Sequence, residues 1–342
     1  MATNANVSRL GLVNNTGTGY DELFLKKFAG EVLVAFEEKN IMKDLHTVRT
    51  IQNGKSASFP VTGKATASYH TPGDNIADSS ENYLNNIKHN ERVINIDDLL
   101  ISPVFISNID EAKNHYDVRS IYSTELGNAL ANTFDANIIR TIIGASRASA
   151  LIDSTSTPAG GSKTVASATD NTGLTANEIV DVLFDAAQKL DENDVPEDNR
   201  HCVLGPVEYY RLIADSANNR LSQLSHDYNA PNGSIAKGNI VEVAGIRIHK
   251  TNHIPRTDES GADTAGENND LFSGGTNTGY GGDFQNTLGV VFHPAAAGTV
   301  KLMDLGLESE YQIQRQGHLF VAKYAMGHGI LRGSNAVELL YN

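Results

Sequence analysis

Two histidines, His249 and His253, are four residues apart, which is the spacing of a zinc-binding pair on a helix. The residues around them are typical of the end of a strand, and no glutamate lies between the two histidines to act as a general base. The acidic segment Asp191–Asp194 lacks the central glycine and the final glutamate of a calcium-binding loop. The sequence therefore predicts no metal site.

Two glycine-rich segments have some features of phosphate-binding loops. Gly233 and Gly238 have the outer spacing of a P-loop, but Asn239 stands where the lysine is needed, so we predict a simple turn. The glycines of residues 274–282 neither follow a predicted strand nor begin a helix, unlike those of a dinucleotide-binding fold. The sequence therefore predicts no cofactor.

The candidate nucleophiles do not indicate catalysis either. Cys202 is the lone cysteine, lies in a short apolar run and is expected to be a buried packing residue. No Gly-x-Ser-x-Gly nucleophile elbow occurs. We expect no catalytic residue and no enzyme. A pair of carboxylates that converges only in the folded chain leaves an α/β hydrolytic enzyme open as an alternative.

The composition argues against two further classes of function. The 342 residues carry a net charge of −14, whereas a protein that wraps nucleic acid needs a basic surface. The longest apolar runs, such as residues 32–36, are far shorter than the ~20 residues that span a bilayer. The N-terminal residues lack the pattern of a signal peptide, so we expect synthesis in a cytoplasm and no membrane insertion. Residues 257–283 contain several acids and no lysine or arginine, which predicts an exposed, mobile loop.

The first part of the chain predicts a helix followed by a long two-stranded excursion. Residues 20–38 have an apolar residue at every fourth position between Phe24 and Phe36 and are predicted to be a helix, or a helix with a break. Residues 54–62 alternate polar and apolar as a half-buried strand does, and Pro60 places that strand at a sheet edge. Residues 91–96 are predicted to be the return strand. Because the excursion has too few apolar residues to fold alone, we expect a neighbouring subunit to cover it.

A single apolar stripe from about Ile109 to Ala145 predicts one long helix. It would be roughly 50 Å long, which suits a structural spine more than a compact domain. Gly127 interrupts the helix near its middle, where a glycine costs roughly 1 kcal/mol relative to alanine. Close packing, simple tolerance and a flexure point are the three explanations for this glycine.

The second part of the chain alternates strands and helices. Residues 150–173 are predicted to be a loop, and Thr175 with Glu178 forms a capping box that begins the next helix. The alternation that follows predicts a small α/β unit to about residue 290. From Leu288 onward we expect strands, three of them short, at residues 299–305, 311–316 and 319–324. They are expected to pair outside this unit, beneath the long helix. The whole pattern predicts an α+β chain.

Several blocks of this sequence resemble the major capsid proteins of short-tailed, Autographivirus-type bacteriophages. The last of them is Ala322-Lys-Tyr-Ala-Met-Gly-His-Gly-Ile-Leu-Arg332. The others, which precede it in the family's order, are Phe28–Phe36, Gly54–Val61, Ile87–Asp97, Asn114–Arg119 and Gly298–Leu302. The resemblance fades in residues 150–173 and 256–282, which both read as loops.

The resemblance implies an HK97-like capsid fold of the α+β class. Its parts would be an N-terminal arm (1–50), an extended loop or E-loop hairpin (51–98), a peripheral domain (99–173 and 291–342) with a spine helix at about 109–145, and an α/β axial domain (174–290). A shell protein of this kind would self-assemble into the icosahedral capsid that encloses a phage's double-stranded DNA.

The resemblance also implies partners and a location. The chain would bind copies of itself in hexamers and pentamers, a scaffolding protein during assembly, and a portal protein at one vertex. It would enclose DNA without sequence-specific binding, would be assembled in the cytoplasm of a bacterial host, and would end in the virion. An encapsulin-like nanocompartment shell is the alternative with the same fold.

Three residues are expected to matter for this function. Phe59 and Val61 are the apolar positions of the first excursion strand, so they are candidates for a contact between subunits. The resemblance implies that the spine helix bends in a precursor shell and straightens in the mature one. Gly127 is therefore the candidate flexure point.

Overall fold

The computed structural model describes the chain in segments. They are residues 40–63, 65, 67–77, 83–84, 87–109, 118–152, 160–169, 173–214, 233–234, 239–240, 242–259 and 280–342. The helix predicted at residues 20–38 lies outside the described residues, as does most of the loop predicted at 257–283.

Helices and strands alternate irregularly along the described chain. The helices are α1 (Val118–Arg147), α2 (Ala176–Glu192) and α3 (Pro206–Ala214), with short 3-10 turns at Pro294–Ala296 and Gly333–Asn335. The strands are β1 (Thr47–Thr50), β2 (Ser56–Thr62), β3 (His89–Asn95), β4 (Leu100–Ser107), β5 (Ser162–Val165), β6 (His201–Leu204), β7 (Gly233–Ser234), β8 (Asn239–Ile240), β9 (Glu242–Val243), β10 (Ile246–Lys250), β11 (Thr287–Phe292), β12 (Ala297–Gln312), β13 (Gly317–Ile330) and β14 (Ala336–Leu340).

Two larger sheets and two strand pairs result. The six-stranded sheet has the order β5-β14-β11-β6-β10-β9 and mixes parallel with antiparallel pairs. The four-stranded sheet has the order β1-β12-β13-β4, with β1 parallel to β12 and β4 antiparallel to β13. Strands β2 and β3 form one antiparallel pair, and β7 and β8 form the other. Helices and sheets of this kind confirm the α+β class.

Helix α2 shows how the local sequence builds the cover of the six-stranded sheet. The Thr175 hydroxyl accepts from the Glu178 backbone amide at 3.3 Å, and the Glu178 carboxylate accepts from the Thr175 amide at 2.8 Å. This predicted capping box is confirmed and satisfies two amides at the helix start. The apolar stripe then buries Ile179, Leu183 and Leu190 completely. The strand residues in the same core include Cys202, Leu204, Leu288, Val291, Val337 and Leu339.

Helix α1 is the predicted long helix, and its described part ends two residues later than expected. Four isoleucines in its last three turns are at most 1% exposed, and they are Ile138, Ile139, Ile142 and Ile143. Its last residue, Arg147, donates to the fully buried carboxylate of Glu338 on β14. Buried ion pairs of this kind are costly to break from one side, so the end of the helix is firmly held.

Three expectations about strands are corrected by the structure. Residues 150–173 contain strand β5, which pairs parallel to β14. Strands β11 and β14 pair within the six-stranded sheet, so the strands from Leu288 onward do not all lie outside the α/β unit. Residues 299–324 form parts of two long strands that turn at residues 313–316, rather than three short strands. Pairing between distant segments decided each case, and local periodicity carries no information about it.

The chain divides into two compact units. The described residues of the first unit are 40, 98–109, 118–135 and 303–326, and those of the second lie within 41–97, 136–302 and 327–342. In the first unit, the rings of Phe134 on α1 and Tyr324 on β13 meet edge to face at 6.4 Å, as expected for strands that lie beneath the long helix. The second unit contains the six-stranded sheet and the β2–β3 pair. No described helix is long and apolar enough to cross a membrane.

Candidate assembly surfaces

The predicted excursion is present, and its two strands are both edges. Strands β2 and β3 pair without a bulge from Ser56 opposite Asn95 to Thr62 opposite His89. Side chains of β2 alternate, with Ala57 buried and its neighbours exposed, as the sequence predicted. A two-stranded sheet has no interior strand, so each strand of the excursion has one side that pairs with no other described strand.

Large apolar side chains of the excursion lie in solvent. Tyr69 is fully exposed, and the other residues of this set are at least two-fifths exposed; they are Ile76, Leu84, Ile87 and Val93. Single exposed apolar residues are ordinary on a protein surface, but five along one narrow arm are the mark of an interaction site. Sequence reasoning anticipated that this arm needs a cover, and it did not single out these five residues.

The root of the excursion, in contrast, is packed on its own chain. Ala57 and Ile94 form a small buried cluster with Val300 of β12 and with Leu331, the residue after β13. At Gly327 the backbones approach so closely that a Cβ would lie 1.9 Å from the Asn95 carbonyl oxygen. The arm is therefore anchored at its base, and its apolar side chains are uncovered further out.

Phe59 and Val61 lie near this root. Phe59 is half-buried, and the Arg49 guanidinium sits over its ring with its central carbon 5.6 Å from the ring centroid. Val61 is only 4% exposed within the single chain, which leaves little of its side chain for another molecule. The predicted contact of these two residues with a neighbouring subunit stays a prediction, and Phe59 has more free surface to make it.

A cation lies across the strand pair from Phe59. Arg92 stands directly opposite Phe59, and burial lowers the pKa of its guanidinium, which remains charged at neutral pH. Its buried Nε has no hydrogen-bond partner among the described residues. A buried donor without an acceptor is costly, so this site favours an acceptor supplied from outside the chain.

Strand β4 presents a second apolar surface, in the first unit. Ile101 is 52% and Phe105 is 39% exposed, whereas Ile106 is buried. Their cross-strand partners on β13, Lys323 and Leu319, are partly exposed on the same face. Sequence reasoning missed this strand, although the apolar run of residues 99–106 with a central proline is typical of a sheet edge.

Gly127 lies within the continuous helix α1 and is buried. Its neighbour Asn128 has a buried side-chain oxygen without a hydrogen-bond partner among the described residues. Burial favours close packing as one explanation of the glycine, and the flexure role stays a prediction.

The described residues contain no group of three side chains that could hold a metal ion. His249 lies beside His201, with His249 Nε2 3.1 Å from His201 Nδ1, and does not pair with His253. Cys202 is completely buried, and burial raises the pKa of its thiol far above the range of a nucleophile. A shallow cavity of about 270 Å³ borders Arg256, whose guanidinium is already bound to Glu208 at 2.6 Å.

Residues 58–340 match the Gp10A-like family of major capsid proteins. The chain belongs to this family. It is 35% identical to the major capsid protein of Escherichia phage T7 over 335 residues, which cover 93% of this chain and 92% of that protein. The capsid structure of cyanophage P-SCSP1u is 43% identical, with a TM-score of 0.72 and 99% of each chain covered.

A more distant structure extends the fold assignment. The mature capsid of bacteriophage PhiM1 is 18% identical and has a TM-score of 0.68, over 89% of this chain and 87% of that one. At this identity the likeness shows the fold alone. Together with the cyanophage structure it confirms the HK97-like capsid fold expected from the sequence.

Family membership confirms several predictions at once. The protein is a structural protein, a bacteriophage major capsid protein that associates with copies of itself in the virion shell. It is not an enzyme, because the family and its relatives are structural capsid proteins. The encapsulin-like shell and the α/β hydrolytic enzyme are therefore not favoured.

Proposed function

We propose that this capsid protein assembles as hexamers and pentamers around a scaffolding protein, in the cytoplasm of a bacterial host. The resulting icosahedral shell carries a portal protein at one vertex and encloses double-stranded DNA. The observation that carries this proposal is the excursion, an arm with an anchored root and five exposed apolar side chains. Such an arm is stable only when other copies cover it.

The net charge supports a container that does not bind its contents. A charge of −14 makes the average interaction of the wall with DNA phosphates repulsive. The chain therefore encloses the genome without reading its sequence. Weak contacts repeated over many identical subunits stabilise the particle collectively.

We further propose a division of labour along the chain. Residues 1–50 act as an N-terminal arm and 51–98 as the E-loop, which lies on an adjacent subunit. Residues 99–173 and 291–342 form the peripheral domain, apart from β5, β14 and the end of β11, which lie in the six-stranded sheet. Residues 174–290 form the axial domain, which supplies contacts around the symmetry axes.

Co-expression with the cognate scaffolding protein tests the assembly proposal. We expect closed shells by negative-stain electron microscopy, with hexamers and pentamers resolved in class averages. A chain that stays monomeric beside its scaffolding protein contradicts the proposal. Shells that form readily but never take up a portal or DNA during infection contradict the genome-container part of it.

A matched pair of valine substitutions tests the arm. Val93 on the excursion is 48% exposed and Val165 on β5 is 53% exposed. We expect Val93→Ser to reduce the yield of shells severalfold and Val165→Ser to leave it near the wild-type yield. Both subunits should unfold at the wild-type urea concentration, because neither side chain is in the core. Equal shell yields for the two variants would remove the role of the excursion.

A further inference from the structure

A chain of three buried side chains joins the segment before β1 to both long strands. The His46 Nδ1 lies 2.6 Å from the Met42 carbonyl oxygen, and its Nε2 lies 2.7 Å from the Thr299 hydroxyl. The same hydroxyl lies 2.8 Å from Nδ1 of His328. His46, Thr299 and His328 are 7%, 1% and 2% exposed. The three residues belong to the chain before β1, to β12 and to β13, respectively.

The direction of every hydrogen bond in this chain is fixed by its first member. A carbonyl oxygen only accepts, so Nδ1 of His46 carries a hydrogen and donates it to Met42. In the neutral ring Nε2 is then an acceptor, and the Thr299 hydroxyl donates to it. The hydroxyl oxygen in turn accepts from Nδ1–H of His328. Both imidazoles are therefore neutral Nδ1–H tautomers, and each donor in the chain has its acceptor.

Two added protons do not fit this arrangement. One proton on His46 already turns its Nε2 into a donor, and the bonds form again only if the hydroxyl reverses and the hydrogen of His328 moves from Nδ1 to Nε2, so the latch as described needs both rings neutral. With a second proton, both rings direct an N–H at one hydroxyl, whose own hydrogen loses its acceptor, and two buried cations face each other. Burial lowers the pKa of His46, and burial together with the charge of His46 lowers the pKa of His328 to about 3.

The charged groups around the pair offset this only in part. Asp44 raises the pKa of His46, as does the hydrogen bond to Met42, but burial outweighs both. On the other side the Tyr280 ring lies beside His328 and its hydroxyl donates to Asp97. That carboxylate is thus engaged with Tyr280.

Two exposed side chains of β1 also fasten it: the Thr47 hydroxyl donates to the Pro294 carbonyl oxygen at 3.1 Å, and the Arg49 guanidinium donates to the Ser58 carbonyl oxygen at 3.0 Å. All four side chains of β1 are exposed, and its ladder joins Thr47–Thr50 to Gly298–Lys301. Met42 is fully buried and is the main apolar anchor of the segment. The polar chain therefore supplies the buried side-chain hydrogen bonds of the attachment.

We propose that His46, Thr299 and His328 form a histidine latch, which fastens residues 42–50 to the two long strands at neutral pH and releases them when acid protonates both imidazoles. The inference concerns the conformation of the subunit and stands apart from the partners proposed above. Release would free the chain that leads from residues 1–39 into the fold, so acid would loosen this segment before the rest of the subunit unfolds.

Hydrogen exchange of the full-length subunit tests the latch through its steepness. The closed latch requires both rings neutral, whereas in the open segment each ring titrates at the ordinary histidine pKa of 6.5. Below that pH the equilibrium constant for opening therefore rises about tenfold per pH unit for each ring that binds a proton. The protection of the amides of residues 42–52, corrected for the intrinsic exchange rate, should fall about a hundredfold per pH unit between pH 6 and 4.5. In His46→Gln and in His328→Gln this protection should fall only about tenfold per pH unit. In the double variant it should be nearly independent of pH.

Controls separate the latch from general acid sensitivity. His318→Gln changes a β13 histidine outside the latch and should keep the wild-type steepness. Thr299→Ser retains the hydroxyl, so this variant should also show the wild-type steepness of the pH dependence. A wild-type slope equal to that of a single variant, or a slope altered by His318→Gln, would overturn the proposal. Long-range nitrogen–proton NMR of labelled histidine gives an independent reading, since a hydrogen on Nε2 of neutral His46 is incompatible with the latch.

Discussion

The six-stranded sheet and the excursion lie in one compact unit, yet they differ sharply in how far their apolar side chains are buried. In the sheet and the helix α2 that covers it, Leu183, Leu190 and Val291 are fully buried. In the excursion, Tyr69 and Leu84 are 102% and 65% exposed. One part of the chain therefore completes its own core, whereas the other leaves large apolar side chains exposed, which the proposed contact with another subunit would bury.

Buried polar groups show the same contrast. In the sheet region, Glu208 is bound by Arg256 at 2.6 Å and by the Tyr341 hydroxyl at 2.8 Å, so its buried carboxylate is satisfied within the chain. In the excursion, the buried Nε of Arg92 has no partner among the described residues. Satisfaction of polar groups thus distinguishes the two regions as clearly as apolar burial does.

The comparison is tested most strongly in the centre of the sheet region. Leu183→Ala removes a fully buried side chain from the core and should lower the free energy of unfolding by about 2–5 kcal/mol. Its neighbour Phe184 is 56% exposed on the same helix, so Phe184→Ala should cost about 1 kcal/mol or less. Urea unfolding of the subunit followed by circular dichroism measures both. Similar losses in the two variants would mean that the helix does not seal a self-sufficient core.

Strand β2 contains residues of both kinds, one buried within its own chain and one only half-buried. Val61 is 4% exposed within its own chain, so Val61→Ala should destabilise the isolated subunit by about 1–2 kcal/mol. Phe59 is only half-buried, so Phe59→Ala should destabilise the subunit less and reduce shell assembly more. Urea unfolding and shell yield, measured on the same preparations, separate the effects. A subunit unaffected by Val61→Ala would place that residue among the contacts between subunits.

Acid provides a smaller and graded test of the sheet region. Burial, with the nearby charges of His249 and Arg247, lowers the pKa of His201 to about 4. The unfolded chain therefore binds more protons than the folded one below pH 6.5, and stability that is complete above that pH is lost as the pH falls toward 4. The loss from this histidine is at most about 1.4 kcal/mol per pH unit.

The matching measurement is the free energy of unfolding in urea from pH 7.5 to pH 4.5. We expect His201→Gln to flatten the pH dependence and His318→Gln to leave it unchanged. If the free energy of unfolding depends on pH in the same way for His201→Gln and the wild type, His201 is solvated in the folded subunit.

The smallest expected effect concerns the long helix. Gly127→Ala should favour the straight helix by about 1 kcal/mol or less, because alanine restricts the unfolded and bent chain. If Gly127 is a flexure point, precursor shells of the variant should expand at a lower temperature than wild-type shells. Differential scanning calorimetry of assembled precursor shells gives the midpoint. A variant that expands normally but has a less stable subunit would instead indicate that the buried glycine is needed for close packing.

Local patterns in the sequence were sufficient for some parts of the fold. The capping box of Thr175 and Glu178, the stripe of the long helix and the alternation around Ala57 each depend on residues within a few positions of one another. Such patterns follow directly from the periods of helices and strands. The resemblance to phage capsid proteins then supplied the arrangement of these elements, which periodicity does not specify.

Pairing over long distances was the part that the sequence did not reveal. Strand β14 joins β5 and β11 although more than 170 positions separate Val337 from its partner Ser162. The latch residues His46 and Thr299 are 253 positions apart, and nothing around either residue indicates the other. The burial of Val61 likewise depends on its folded surroundings. These features are products of tertiary packing, which overrides local preference.

The close approach at Gly327 has a consequence for how this gene can vary. The Cβ of any side chain at this position would lie 1.9 Å from the Asn95 carbonyl oxygen. Asn95 is the last residue of β3, at the anchored root of the arm. In a library holding every single amino-acid replacement, selected for infectious particles, this codon should retain glycine alone. Exposed positions of β1, such as Val48, should accept many replacements. The tolerated replacements would then report the fold, and the position that accepts only glycine would mark where β13 passes close to the end of β3.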